Sequence, residues 1–238
     1  MPVPAYLTPY ILIGTVAIVT TVLFGLHQAL KRAQWPDENR RRAFRSVAAL
    51  LIGWYLATLV LAWLEFYRGA ATRIPTIEIG LLVPIIVGVL LAWRWELLRR
   101  VINEVPQEWI VGVQFYRAMG LMFLILYAAG RLPGVFAWPA GVGDIIVGLL
   151  GPVVGVAYAR NPGNASGLVR AWNWFGIIDL IVAVGTGFLT SPSPLQMLSF
   201  DAPNELISAF PLVMVPVFLV PLSILLHFAS LKKLRETA

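Results

Sequence analysis

The chain has 238 residues, of which 59% are hydrophobic and 13% are charged, and its formal net charge is +6 at pH 7. An average soluble domain has about 25% charged residues, so this composition indicates a membrane protein. The positive charge does not indicate nucleic-acid binding, because the basic residues lie in short stretches between apolar segments and form no single basic face. With no cysteine in the sequence, disulfides, thiolate metal sites and covalent CxxCH haem attachment are excluded.

Seven apolar stretches are long enough to cross a bilayer as helices. A hydrocarbon core of about 30 Å takes about 20 residues of helix, whereas a barrel strand alternates apolar and polar residues over about ten positions. None of the stretches alternates in that way. We therefore predict an all-α fold, a seven-transmembrane-helix bundle that forms one integral membrane domain over residues 1–238. The predicted spans are residues 9–30, 47–66, 77–93, 109–130, 135–158, 168–189 and 207–231.

The basic residues between the spans predict the orientation. If the N-terminus is outside, fourteen of the 18 Lys and Arg residues fall on the inner side, and Arg68, Arg73 and Arg131 fall on the outer side. Lys and Arg are enriched in cytoplasmic loops. The sequence thus predicts an N-terminus outside and a C-terminus in the cytoplasm, in a plasma or inner membrane. The lipid bilayer is the one partner that these patterns imply.

One basic residue, Arg117, falls inside the fourth span, and two acidic residues, Asp144 and Asp179, fall inside the fifth and sixth. At about 1.5 Å per helical residue, each lies roughly 12–16 Å from a boundary of its span. A lone charge at that depth costs several kcal/mol or more, so we expect all three to face the bundle interior and to pair. One arginine between two aspartates leaves a surplus carboxylate, which a proton or a bound cation has to balance.

Small residues accompany these charges at helical spacing. Positions three and four apart share a helix face, and small side chains on such a face let a neighbouring helix approach closely. We therefore expect both aspartates to lie in packing seams, with Gln114 one turn from Arg117 on the fourth span. The seams are Gly141, Asp144, Gly148, Gly151 and Gly155 in the fifth span, Gly176, Asp179, Ala183 and Thr186 in the sixth, and Gln114, Arg117, Gly120, Leu124 and Ala128 in the fourth.

Two functions fit this cluster. Ionisable groups at mid-membrane commonly mark substrate or ion paths. The first hypothesis is therefore that Arg117, Asp144, Asp179 and Gln114 bind or translocate a small solute, an ion or a proton. Alternatively, the three charges form a structural group that fixes helix register, as in an accessory subunit without a ligand. The sequence indicates no enzyme class, since HExxH and P-loop motifs are absent and the lysines lie at helix ends, away from any retinal Schiff-base position.

The two histidines suggest a third hypothesis. His27 and His227 each lie shortly before a basic segment, and both are predicted about 6–8 Å inside the inner boundary. If the helices form a sequential ring, the first and last are neighbours, and the two imidazoles could ligate the iron of a haem b. Otherwise they are interfacial side chains with their polar ends toward water, and no cofactor is expected. This placement puts no histidine at the depth of Asp144 or Asp179, which argues against a Ser/His/Asp hydrolase.

Overall fold

The computed structural model describes residues 3–68 and 76–236, and the regular secondary structure in those two ranges is entirely helical. Seven helices are long and apolar enough to cross a membrane, which confirms the predicted all-helical bundle and indicates an integral membrane protein. The orientation of the termini stays a prediction. Of the basic residues on which it depends, Arg73 lies outside the described residues.

Two of the seven spans are not uniform α-helices. The fourth, Gln107–Ala128, changes to a 3-10 helix at Val113–Gly120, and the seventh, Val215–Glu236, begins as a π-helix at Val215–Leu219. A short amphipathic helix, α4, joins the third and fourth spans. The α-helices are α1 (Leu7–Arg32), α2 (Asp37–Trp63), α3 (Ile77–Arg94), α4 (Glu96–Glu104), α5 (Gln107–Gly112), α6 (Leu121–Ala128), α7 (Gly134–Arg160), α8 (Pro162–Thr190) and α9 (Val220–Glu236).

The fifth and sixth spans form a tight helical pair. A single residue, Asn161, separates α7 from α8, and its side-chain oxygen accepts a hydrogen bond from the amide of Asn164 at 3.3 Å. Asparagine is a favoured N-cap, and proline at the first helical position, here Pro162, supplies a fixed φ without losing a needed hydrogen bond. These signals start α8 immediately after α7, so the two helices that carry the aspartates pack against each other.

The helices do not form a sequential ring. α7 is central, because it packs along α8 on one side and along the whole fourth span on the other. α9 packs mainly against α3, α5 and α8, and within the described ranges it has no extensive contact with α1, which packs mainly on α2. The neighbour relation between the first and last spans that the haem hypothesis requires is therefore missing.

The glycine seam of α7 faces the backbone of the fourth span. A Cβ atom added at Gly148 would lie 2.5 Å from the amide nitrogen of Ala118, and one added at Gly155 would lie 2.9 Å from the carbonyl oxygen of Glu108. Contacts this short leave room for hydrogen only. The spacing of small residues predicted this packing surface, and the close approach places Arg117 directly beside α7.

The seventh span begins later than the predicted residue 207. Residues 206–213 form turns, including a short 3-10 helix at Leu206–Ser208, and the seventh span is continuous only from Val215. The delay follows from Pro211 and Pro216, which have no amide hydrogen for a regular helix. The carbonyl of Leu212, which Pro216 cannot engage, instead accepts a hydrogen bond from the amide of Val215 at 3.0 Å.

Candidate functional site

Arg117 lies where the fourth span tightens from an α-helix to a 3-10 helix. Three residues per turn align every third side chain, and the buried members of this segment are Gln114, Arg117 and Gly120. The arginine side chain is only 2% exposed. A 3-10 segment of eight residues is unusually long, and such segments often mark functional or strained positions. The local geometry therefore directs the guanidinium into the bundle, as the charge argument predicts.

The structure brings the three predicted charges together. Arg117 Nε donates a hydrogen bond to Asp144 Oδ1 at 2.7 Å, and Nη2 donates to Asp179 Oδ2 at 2.5 Å. The aspartate side chains are 15% and 8% exposed, respectively. We call these three residues the charge centre. It contains one positive and two negative groups, so it has a surplus of one negative charge when both carboxylates are ionised.

His227 completes the surroundings of the guanidinium. Arg117 Nη1 donates to the carbonyl oxygen of Gly176 at 3.3 Å and lies 3.2 Å from His227 Nε2. His227 Nδ1 lies 2.8 Å from Asn173 Oδ1, which can only accept. The hydrogen is therefore assigned to Nδ1, and Nε2 accepts from the arginine. In this arrangement the imidazole is neutral and does not offset the surplus charge.

From His227 a chain of buried side chains continues to the start of the fourth span. Asn173 Nδ2 donates to Ser230 Oγ at 2.8 Å, and Gln107 Nε2 donates to the same hydroxyl at 2.6 Å. His227, Asn173 and Ser230 have no exposed surface, and Gln107 is almost as buried. We call His227, Asn173, Ser230 and Gln107 the polar chain. It links α9, α8 and α5 on one side of the charge centre.

This position of His227 differs from the sequence-based expectation. The residue is not interfacial, and the prediction that no histidine reaches the depth of the aspartates is wrong, because its ring contacts the guanidinium that binds them. A spacing signal existed, since Ser223, His227 and Ser230 are four and three residues apart on one face of α9. The surroundings still do not form a Ser/His/Asp triad, because the ring nitrogens of His227 contact Asn173 and Arg117.

The two histidines lie in different surroundings and do not fit an axial pair for haem. His227 is fully buried, both of its ring nitrogens are engaged, and its ring packs against Trp172 with the centroids 5.0 Å apart. His27 is exposed on α1, and its ring contacts Phe44 with the centroids 5.3 Å apart. A haem iron needs a free nitrogen on each ligand, which His227 does not offer here.

Glycines contact each side chain around the guanidinium. A Cβ atom at Gly120 would lie 2.5 Å from Asp144 Cβ, and one at Gly176 would lie 2.5 Å from the His227 ring. A Cβ at Gly143 would overlap the Asp179 carboxylate. Larger residues at these positions would push the charged groups apart, so the glycines are part of the site.

Gln114 is buried near the charge centre but does not join it. The side chain has no exposed surface, and neither of its amide atoms has a hydrogen-bond partner among the residues that the structure describes. Buried amides normally have partners, because leaving one unpaired costs about 1–3 kcal/mol. Among the described residues, the structure therefore gives no hydrogen bond between this fourth predicted site residue and the charge centre.

Two cavities meet at Asp144. The smaller has a volume of about 30 Å³, and its polar lining residues are Arg117, Asp144, Tyr116 and Ser223. The hydroxyl oxygens of Tyr116 and Ser223 are hydrogen-bonded at 2.6 Å. The larger, about 60 Å³, extends from Asp144 to Ser193. Asp144 Oδ2 has no hydrogen-bond partner within residues 3–68 and 76–236. Asp179 Oδ1 likewise has none among these residues, but Asp179 lines neither cavity, so Asp144 is the acid that both cavities reach.

A protein family model matches most of the chain. A family model described as "Domain of unknown function (DUF8737)" matches residues 74–235, which include the charge centre and the polar chain. Comparisons with curated proteins and with solved structures give no significant match.

Proposed function

The chain belongs to the DUF8737 family, whose description assigns no activity, and from the charge centre we propose that it binds a proton or another small cation at Asp144 and translocates it. The observation that carries this proposal is the pairing of one guanidinium with two carboxylates. In a medium of low dielectric constant a surplus charge is costly, so a cationic species is needed to neutralise the centre. The site thereby favours a cation over an anionic solute.

The geometry also supports a role for each residue. Arg117 is the fixed positive charge, and Asp179 is its less exposed partner, with an Nη2 to Oδ2 distance of 2.5 Å. Asp144 is the exchanging group, because it lines both cavities whereas Asp179 lines neither. The titratable groups around Asp144 are Arg117 and Tyr116 of the fourth span and Asp179 of α8. His227 of α9 lies beyond the guanidinium.

The competing explanation is a structural cluster in an accessory subunit. A register-fixing ion pair needs one acidic partner, and a second buried carboxylate on the same guanidinium adds a desolvation cost and a surplus negative charge. That cost is easier to understand if the second carboxylate binds a ligand. A structural cluster predicts that charge-removing substitutions lower stability and change nothing else.

We further propose that the protein lies in a plasma or inner membrane with its N-terminus outside. Support comes from the distribution of Lys and Arg between the spans, which favours an external N-terminus. Large apolar side chains on the outside of the bundle, such as Ile13 and Ile181, suit contact with lipid. The bilayer is then the environment in which a cation gradient would act on the charge centre.

Proton flux into proteoliposomes tests the proposal. Purified protein is reconstituted with a pH-sensitive dye inside, and a potassium diffusion potential drives cation entry. We expect the dye to report acidification of the liposome interior with the wild type, and no acidification with Asp144→Asn. Asp201→Asn, which removes an exposed loop carboxylate, is the matched control and should keep the flux. Circular dichroism and gel filtration check that each variant is folded.

Two results would contradict the proposal. The first is a wild-type flux no larger than that of empty liposomes, with sodium-sensitive and pH-sensitive dyes both tested. The second is a folded Asp144→Asn variant with unchanged flux. If Asp144→Asn, Asp179→Asn and Arg117→Gln alter only the unfolding free energy, the structural explanation is correct.

A further inference from the structure

The larger cavity at Asp144 leads towards one end of the bundle. Its deep end is Asp144. Its far end is formed by Ser191, Ser193 and Ser208, which lie between the end of α8 and the start of the seventh span. We call this cavity the passage. Between these polar ends its walls are apolar. They come from α3, α6, α7, α8 and the seventh span, and include Phe136, Ala140, Leu180, Ala183, Phe188 and Val215.

In the opposite direction, neither cavity at Asp144 extends to a residue of the polar chain. Beyond the guanidinium lies the polar chain, in which His227 and Asn173 have no exposed surface. Consecutive hydrogen bonds of 2.8 Å from His227 to Asn173 and from Asn173 to Ser230 hold it closed. In this conformation Asp144 is therefore approached from the end that carries residues 191–208.

The walls of the passage limit the kind of cation that can enter. Metal cations such as Ca²⁺ and Mg²⁺ are held by about six or more oxygen ligands, including retained waters. The described part of the chain contains no group of three or more His, Cys, Asp or Glu residues that could hold a metal ion. An apolar wall would also remove water from such an ion without replacing it. An organic cation needs only one carboxylate for its head, and its body gains from apolar contact.

We propose that a small organic ammonium ion enters the passage and displaces a proton from Asp144. This rests on the proposed function, because it uses the same carboxylate. The ammonium head meets Asp144 Oδ2, and its short apolar body lies between Phe188 and Ala183. The volume of about 60 Å³ restricts that body to a few carbon atoms.

The exchange balances in atoms and charge. The protonated Asp144 carboxyl and the ammonium ion give a carboxylate–ammonium pair and one released proton, with no electron transfer. Arg117, Asp179 and protonated Asp144 sum to zero charge. The centre is again neutral when Asp144 is ionised and an ammonium ion lies beside it. Either a proton or an ammonium ion therefore neutralises the centre, and the two do not bind together.

Proton release measures this exchange directly. Adding n-butylammonium chloride to weakly buffered wild-type protein is expected to release about one proton per cation bound. Sodium chloride and sodium butyrate should release none, and Asp144→Asn should release none with any of them. An infrared carbonyl band of a protonated carboxylic acid, lost in Asp144→Asn, reports proton binding without an organic cation. If that band is present but n-butylammonium releases no proton, the exchange is refuted while the proposed proton site stands.

Cysteine labelling tests the direction of entry, and the natural chain has no cysteine to interfere. Asp201→Cys marks the end of the passage, and Asn164→Cys, exposed at the start of α8, marks the opposite end. We expect Ala183→Cys to react with a membrane-impermeant thiol reagent from the same side as Asp201→Cys. n-Butylammonium should slow that reaction several-fold, and this protection should be lost on adding Asp144→Asn.

Ile181→Cys is the matched control, since Ile181 is 63% exposed on the outside of the same helix. In lipid it should react slowly and should show no protection by n-butylammonium. Labelling of Ala183→Cys from the Asn164 side, or no labelling from either side, would overturn the passage. Protection that survives Asp144→Asn would overturn the role of its carboxylate.

Discussion

Replacing Gly148 by alanine should loosen the contact between α7 and the fourth span. The added Cβ would lie 2.5 Å from the amide nitrogen of Ala118 and 3.1 Å from the carbonyl carbon of Arg117. An ordinary contact is about 3.4–4 Å, so the two backbones would have to separate by about 1 Å. Overpacking of this kind typically costs about 1–3 kcal/mol. The same displacement would stretch the bond from Arg117 to Asp144, now 2.7 Å, beyond hydrogen-bonding range.

Unfolding by sodium dodecyl sulfate in mixed micelles, followed by circular dichroism, gives the change in free energy. Gly185→Ala is the matched control, because a Cβ at Gly185 meets nothing within 4 Å. This second variant should be neutral or more stable than the wild type by up to about 1 kcal/mol, since alanine is the better helix former. Equal unfolding free energies for Gly148→Ala and the wild type would refute the close backbone packing.

Three further substitutions test the charge centre and its neighbours. Arg117→Lys keeps the charge but loses the planar guanidinium that reaches both carboxylates, so proton flux in the liposome assay should fall at least tenfold. An unchanged flux would show that the guanidinium geometry is dispensable. Asn173→Ala leaves the buried Nδ1–H of His227 unpaired and should lower the unfolding free energy by about 1–3 kcal/mol, whereas Asn164→Ala at the exposed start of the same helix should cost about 1 kcal/mol at most. Gln114→Leu removes an amide that has no partner in the described structure, so stability should stay equal or rise, and a loss above about 1 kcal/mol would contradict that environment.

The parts of this molecule that could be predicted from sequence follow from the bilayer as a solvent. Apolar length gives the spans, and the cost of charge in lipid requires Arg117, Asp144 and Asp179 to meet inside the bundle. The seam around Gly148 follows from helical periodicity. Each of these inferences needs only local spacing and one strong energetic penalty.

Other features depend on packing that a local pattern does not encode. The short spacing between His227 and Lys232 predicts a position near the inner boundary, but α9 continues to Glu236 and packs on α8 rather than α1. Asn173 and Ser230 interrupt apolar stretches without changing their hydropathy much, so the polar chain is visible only once α8 and α9 are neighbours. The change to 3-10 geometry around Arg117 arises from hydrogen-bond register, which composition does not report.

The single-residue connection at Asn161 has a mechanical consequence. Because α7 and α8 form one hairpin, Asp144 and Asp179 would move as a unit. Arg117 and His227 lie on the fourth and seventh spans, outside that hairpin. A rocking movement of this hairpin would keep the two acids at a constant mutual separation while breaking their bonds to the guanidinium. Rupture of those bonds, and not rearrangement between the acids, is then the step that any opening towards the opposite end has to overcome.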